Sequence, residues 1–248
     1  MNILVCVSRV PDTTTRILVG PDGKTADKTG VKFVLNPFDE FALEEGLRLR
    51  EKNGGSVTAV TVAGEVAKDI LRTSLAMGAD KVAIIKTENE FDSYFTAQNL
   101  AEFASNRAFD IILLGKQSID YDSLQIPAYL GELLGIPSIG VVSKLQIEGN
   151  NVSAERDIEG GKEIVSAQLP CIISAQKGLN EPRYPKLPDI MKAKSKPIEE
   201  VAAIDCQPRT TILEMSIPSK KRAGVILDGS DGSLDKLVTL LHEEAKVI

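Results

Sequence analysis

The sequence contains no tryptophan, and its 248 residues include one histidine and three cysteines. A single imidazole, His242 near the end of the chain, removes most Ser-His constellations and His-rich metal sites. Cys6, Cys171 and Cys206 are widely spaced and odd in number, so no disulfide framework is expected and a reducing compartment fits best. No apolar run approaches the roughly 18 residues of a membrane helix, and no membrane span is expected. Positive charge is also short: 29 Lys and Arg face 35 Asp and Glu, a formal charge of −6, which argues against a nucleic-acid-binding protein as a whole. The first residues, MNILVCV, lack a basic segment and a small-residue cleavage site. They read as a first strand rather than a signal or transit peptide.

What is present is a 43% hydrophobic, 26% charged chain, long enough for one large domain or two small ones. Apolar runs at 3–8, 56–62, 81–86, 110–114 and 138–142 read as strands. Amphipathic segments at 37–51, 65–77, 93–108 and 122–134 lie between them. In the first, Phe38, Phe41, Ala42, Leu47 and Leu49 form the apolar side, and Glu40, Glu44, Glu45, Arg48 and Arg50 are assigned to solvent. This alternation predicts an α/β fold, a doubly wound, mostly parallel sheet covered on both faces, with ligands beyond the carboxyl ends of its strands. After about residue 140 the pattern changes. Segments 152–158 and 163–167 flank Gly160-Gly161 as a hairpin, and 169–174 reads as a further strand. Residues 178–200 read as an exposed, irregular segment with one short helix, and 205–231 as an arm. A last helix is expected over 234–244, capped by Ser233, with Leu234, Leu237, Val238 and Leu241 on one face.

Three stretches carry candidate chemistry. The first is GKQSIDYDSLQIP, residues 115–127, which follows the apolar run 110–114. Gly115 at a strand end would free backbone N–H groups for a ligand, and Asp120, Asp122 or Ser123 would cap a helix starting near 122. Its first turn would form an anion site, with Ser123 and Lys116 nearby. Two carboxylates two residues apart do not flank a substrate as a hydrolase pair does. The pattern leaves a nucleotide cradle and a plain capped helix on an equal footing. The second stretch is Asn36-Pro37-Phe38-Asp39. Here Pro37 suits a first helical position, and Asn36 is either a simple cap or a side chain facing the same crevice. The third is residues 179–196, where Arg183, Lys186, Lys192, Lys194 and Lys196 surround Leu187, Ile190 and Met191. An apolar knob ringed by cations suits protein docking, steered towards an acidic partner; a basic linker whose apolar residues pack back on the body is the plain alternative, and a polyphosphate or membrane-surface role a lesser one.

Several of these motifs occur together in one family. SAERDIEGGKEIVSAQLPCIISA (153–175), LNEPRY (179–184), LPDIMKAKSK (187–196), GKQSID (115–120) and NPFDEFALEE (36–45) follow one another along the chain as in that family. The sequence resembles the beta subunits of electron-transfer flavoproteins from end to end. The resemblance implies a heterodimeric electron carrier with no catalytic residues of its own. Such carriers accept electrons from flavin dehydrogenases, usually acyl-CoA dehydrogenases of fatty acid oxidation, and pass them to a quinone oxidoreductase. The alpha subunit would hold most of an FAD, and this chain a structural AMP. The implied cofactor positions are Cys6, Asn36, Pro37, Phe38, Asp39, Val62, Gly115, Lys116, Gln117, Ser118, Ile119, Asp120, Asp122, Ser123 and Gln125. Leu187 would be the anchor inserted into a partner dehydrogenase, helped by Ile190 and Met191. Asp157 stands where many members have a glutamate that holds the mobile flavin domain. Thr13 replaces an aromatic that some members place near the flavin ring, so that contact is not expected.

The same resemblance implies a nucleotide-binding domain over 1–205, recognition loop included, and a C-terminal arm over 206–248 packing on the alpha subunit. A bacterial cytoplasmic location is expected. Relatives that bind a second FAD in place of AMP are the alternative. Here Tyr121 and Pro127-Ala128 are expected to crowd the crevice and favour AMP, although Leu124 and Ile126 replace the usual Asn and Thr. A stand-alone universal-stress-like ATP-binding regulator and a nucleotide hydrolase using Asp120 and Asp122 are the readings from other classes.

Overall fold

A computed structural model describes residues 1–87, 92–218 and 224–248. Its strands and helices, in chain order, are β1 (Asn2–Cys6), β2 (Arg9–Pro11), β3 (Phe33–Leu35), α1 (Pro37–Asn53), β4 (Ser56–Ala63), α2 (Lys68–Met77), β5 (Lys81–Lys86), α3 (Ser93–Ser105), β6 (Ile111–Gly115), α4 (Ile126–Leu134), β7 (Ser138–Glu148), β8 (Asn151–Ile158), β9 (Gly161–Gln168), β10 (Cys171–Ala175), α5 (Leu187–Ser195), β11 (Glu199–Ala202) and α6 (Ser233–Thr239). Nine strands form one sheet in the order β11-β5-β4-β1-β6-β10-β7-β8-β9, parallel from β11 to β7. The β7–β8 and β8–β9 pairings are antiparallel, and Ile158 pairs with Gly161 across the expected hairpin. A separate antiparallel pair joins β2 to β3.

Alternation along each strand builds a core on both faces. Ile3, Val5, Val57 and Ala59 face α1 and α2, while Leu4, Cys6, Val60 and Val62 face α3 and α4. The chain first winds from β1 out to β5, then returns to place β6 on the other side of β1. That reversal makes the β1/β6 junction the switch point, the place where open α/β sheets hold ligands beyond the carboxyl ends of their strands. No helix among the described residues is long and apolar enough to cross a membrane.

Four sequence readings need correction. The helix placed over 122–134 begins only at Ile126. Asp122 and Leu124 hold left-handed backbone (φ 50° and 52°), which no right-handed helix accommodates, and Pro127 sits in the first turn, where its missing N–H costs nothing. Segment 65–77 splits into a short 3-10 turn at Glu65–Ala67 followed by α2. The last helix gives way to a π turn at Leu240–Glu244; Gly232 is its cap residue, and Ser233 Oγ turns back to Asp228 Oδ1 (2.9 Å). Glu44 and Glu45 of α1 are buried rather than solvent-facing.

The arm after β11 keeps much of its apolar surface exposed, Leu213, Val225 and Ile226 included, and α6 buries none of its residues. Residues 219–223 of the expected arm lie outside the described residues. Asp92 joins the arm to the body: its Oδ1 accepts from Phe95 N (2.9 Å) as the cap of α3, and its Oδ2 accepts from Arg209 N, Thr210 N (both 2.8 Å) and Thr210 Oγ1 (2.9 Å).

Candidate functional site

The carboxyl ends of β1 and β6 meet at the first turn of α1. Asp39 is buried there, and its carboxylate accepts three hydrogen bonds: Gly115 N to Oδ1 (2.8 Å), and Ser8 N (2.8 Å) and Ser8 Oγ (2.6 Å) to Oδ2. These bonds tie the ends of β1 and β6 to the helix N-terminus. Burial pushes Asp39 up to about 6, against the pull of the Ser8 and Gly115 donors. The Gly115 N–H, expected to face a ligand, is therefore occupied. Its missing side chain serves the close approach of α1: a Cβ there would lie 2.5 Å from Asp39 Oδ1 and 2.6 Å from Phe38 Cβ.

Asn36 is fully buried at the same junction. Its Nδ2 donates to Gln117 O (2.9 Å), while Oδ1 has no hydrogen-bond partner among the described residues. Its side chain makes no cap hydrogen bond to α1, so the simple-cap reading does not hold. Pro37 and Phe38 are half-buried beside it, and Lys116 Nζ lies 4.8 Å from the Phe38 ring centroid. Cys6 and Val62 are buried at the ends of β1 and β4. Burial, then the charge of Asp39, pushes the Cys6 thiol up, which makes it a packing group and not a nucleophile.

The loop after β6 folds on itself. Asp122 N donates to Ser118 O (2.9 Å), Gln117 Nε2 donates to Asp122 Oδ1, and Tyr121 N donates to Asp120 Oδ1 (3.0 Å). Ser123 Oγ pairs with Ser93 Oγ at the start of α3 (3.0 Å). Lys116, Gln117, Ser118, Ile119 and Ser123 are half-buried; Asp120, Asp122 and Gln125 are exposed. Neither Asp120, Asp122 nor Ser123 caps α4; the cap position is Gln125. Tyr121 is 69% exposed, and Pro127 is buried in the first turn of α4. Among the described residues, no group of three or more His, Cys, Asp or Glu converges as metal ligands would. Ser8, Asp92 and Ser93 were missed in the sequence. Asp92 had a readable signal, since an aspartate before an amphipathic segment is a cap signature.

The second surface lies on α5, which packs on α2 and buries Ala193. Leu187 (72% exposed), Ile190 and Met191 project outward, and Tyr184 is 93% exposed. Arg183 does not belong with the steering cations: it forks onto Glu44 and Glu51 of α1. Asp157 is on β8, towards the opposite end of the sheet from the α2–α5 side, where its Oδ1 accepts from Ser143 Oγ (3.2 Å). The four residues expected to meet partners thus lie on two separate surfaces.

Comparison with known proteins gives one answer. Residues 24–205 match the model of the electron transfer flavoprotein domain. The chain is 44% identical over 259 aligned residues to the electron transfer flavoprotein subunit beta of Bacillus subtilis, covering 100% of both. It is 38% identical to the subunit beta of Bradyrhizobium diazoefficiens, again covering 100% of both. It is 38% identical to the mitochondrial subunit beta of Arabidopsis thaliana, covering 98% of this chain and 99% of that protein. The chain therefore belongs to the electron transfer flavoprotein subunit beta family, a family of flavin-associated electron carriers.

Proposed function

We propose that the chain pairs with an alpha subunit to hold one shared FAD, keeps a structural AMP in the β1/β6 crevice, and docks flavin dehydrogenases through α5. The observation that carries the nucleotide assignment is the buried, unpartnered Asn36 Oδ1 at the switch point. A buried acceptor left without a donor costs about 1–3 kcal/mol, and an adenine amine or ribose hydroxyl supplies one. The first turn of α4, where the intrahelical bonds start with Tyr129 N to Gln125 O (3.0 Å), offers N–H groups to a phosphate, with Lys116 as nearby counter-charge. Asn36, Lys116–Ser118, Ser123 and Gln125 would contact the nucleotide. Asp39 and Gly115 would hold the walls, and Cys6, Val62, Pro37 and Phe38 would line them. Ile119, Asp120 and Asp122 would shape the loop.

The flavin supplies the redox chemistry and the protein supplies position. Electrons would arrive from a dehydrogenase of the acyl-CoA class and leave towards a quinone oxidoreductase. Leu187, Ile190 and Met191 would fill an apolar pocket on the dehydrogenase, with Lys186, Lys192, Lys194 and Lys196 as the steering charges. Asp157 would meet the mobile flavin domain. Residues 1–205 would act as the nucleotide-binding unit, and the exposed apolar arm over 206–248 would pack on the alpha subunit. Full-length likeness to beta subunits leaves the stand-alone regulator without support. Co-expression with the alpha subunit, heat release and chromatography test the assignment. One FAD and one AMP per heterodimer are expected; two FAD and no AMP would transfer the crevice to the second-flavin class.

A further inference from the structure

The exposed surface around Leu187 is fastened at both ends. At its root, Arg183 makes five hydrogen bonds to two carboxylates of α1. Its backbone N (3.1 Å) and Nε (2.8 Å) reach Glu44 Oε2, and Nη2 reaches Glu44 Oε1 (3.0 Å). Nη1 and Nη2 reach Glu51 Oε1 (2.6 Å) and Oε2 (3.2 Å). Glu44 is only 3% exposed, and this fork, together with Arg48 Nε on its Oε1 (3.0 Å), shields it from an apolar interior. Three residues earlier, buried Asn180 donates to Phe41 O (3.0 Å) and Glu45 Oε2 (2.9 Å), also on α1. At the far end, Arg72 of α2 donates to Ala193 O (2.6 Å) and to Lys196 O, and Lys196 Nζ reaches Ala79 O (3.4 Å). Between these fastenings Tyr184, Leu187 and Met191 stay exposed.

An exposed apolar segment held this firmly is costly to maintain unless its order has a use. Docking loses affinity when anchor side chains must be ordered at the moment of contact, and pre-ordering removes that loss. We propose that Arg183, Asn180 and Arg72 are positioning residues for partner docking, strapping both ends of the 184–191 surface so that α5 is presented already ordered. None of the three needs to touch the partner. The inference rests on the docking reading above.

The test uses the FAD-loaded heterodimer as acceptor for an acyl-CoA dehydrogenase, together with limited trypsin digestion at Lys186 and Lys192. Arg183→Ala and, separately, Arg72→Ala are expected to raise the KM for the heterodimer about tenfold, for three anchors that must now be ordered on contact. FAD and AMP content and kcat should stay at parental values, and cleavage should accelerate. Arg183→Lys keeps the charge but not the planar fork, and should fall between parent and alanine variant. Because Arg72 faces two backbone carbonyls and no buried charge, its variant keeps the test open if Arg183→Ala fails to fold. Leu187→Ala should raise KM with no change in cleavage. Parental KM in the arginine variants overturns the positioning role, whether or not cleavage accelerates. Parental KM in Leu187→Ala overturns the docking reading itself, and a change in cleavage alone would then mark the straps as purely structural.

Discussion

Replacing Gly115 by alanine would put a methyl carbon 2.5 Å from Asp39 Oδ1, 2.6 Å from Phe38 Cβ and 2.7 Å from the Phe38 carbonyl carbon. Non-bonded carbons rest at about 3.5–4.0 Å, so the start of α1 must withdraw from β6 by roughly 1 Å. Two of the three atoms belong to or sit directly on the helix backbone, so a rotamer change cannot relieve the contact. Overpacking of this kind costs about 1–3 kcal/mol. Withdrawal also stretches the 2.8 Å bond from Gly115 N to the buried Asp39 carboxylate, and a bond to a charged group contributes about 1.5–3 kcal/mol. Restricting the unfolded chain returns only about 0.4–1 kcal/mol. The expected net loss is about 2–5 kcal/mol. Gly161→Ala is the control: nothing lies within 4 Å of its added Cβ, and its effect should stay within about 0.5 kcal/mol. Urea unfolding followed by circular dichroism, at a common m value, measures both. A midpoint for Gly115→Ala equal to that of Gly161→Ala would refute the argument that this glycine exists to admit α1.

Asp39 gives a pH signature: its pKa is raised by burial to about 6, so the folded state takes up its proton more readily than the unfolded chain. The stability from that proton is complete below about pH 4 and lost as pH rises through about 6, so the parent should lose about 3 kcal/mol relative to Asp39→Asn between about pH 4 and 7 in urea titrations. A pH-independent difference between the two would remove the buried-carboxylate account. Asp92→Ala should lose both its cap and its three bonds to Arg209 and Thr210. About 1 kcal/mol of stability and much faster proteolysis near Arg209 are expected, and parental proteolysis would show that the arm is held elsewhere. Asp157→Ala should change the rate of flavin-domain reorientation in stopped-flow electron transfer while leaving nucleotide content intact. Identical transfer kinetics would take Asp157 out of the switch.

The sheet was legible because buried parallel strands read as near-continuous apolar runs: Ile111–Leu114 is wholly apolar, and Val57–Val62 is interrupted only by the buried Thr58 and Thr61. The start of α4 was misread because Asp120, Asp122 and Ser123 spell a cap. The same residues also suit left-handed loop backbone, and one-dimensional pattern does not separate the two. Glu44 and Glu45 were placed in solvent because charge periodicity treats every carboxylate as hydrated. Arg48 four residues on is a partner of Glu44 that local pattern can reach, but Arg183 and Asn180, which cover Glu44 and Glu45, stand 139 and 135 residues away. Gly115 failed for the same reason: the atoms that require it are those of Phe38 and Asp39, 76 residues before it in the case of Asp39. Local grammar thus located the site's loops, while the physical role of each residue depended on contacts between distant segments.

Those distant contacts converge on one element. The N-terminus of α1 supplies Asn36 and Asp39 to the β1/β6 junction, and the next turns supply Phe41 O, Glu44, Glu45 and Glu51 to Asn180 and Arg183, which precede α5. At about 1.5 Å per residue, Asp39 and Glu44 are separated by only about 7–8 Å along the helix axis. The helix lies against β1 and β6, whose ends Asp39 also fastens through Ser8 and Gly115. A rigid rod fixed at the ends of β1 and β6 therefore fixes the segment that precedes α5 as well. On the proposed reading, nucleotide binding and partner docking, remote in sequence, would share one mechanical support, which would give a bound nucleotide a structural use without any part in electron transfer. On this account the site need not exchange its ligand: a tightly retained nucleotide beside the N-terminus of α1 would steady the element on which Arg183 is clamped.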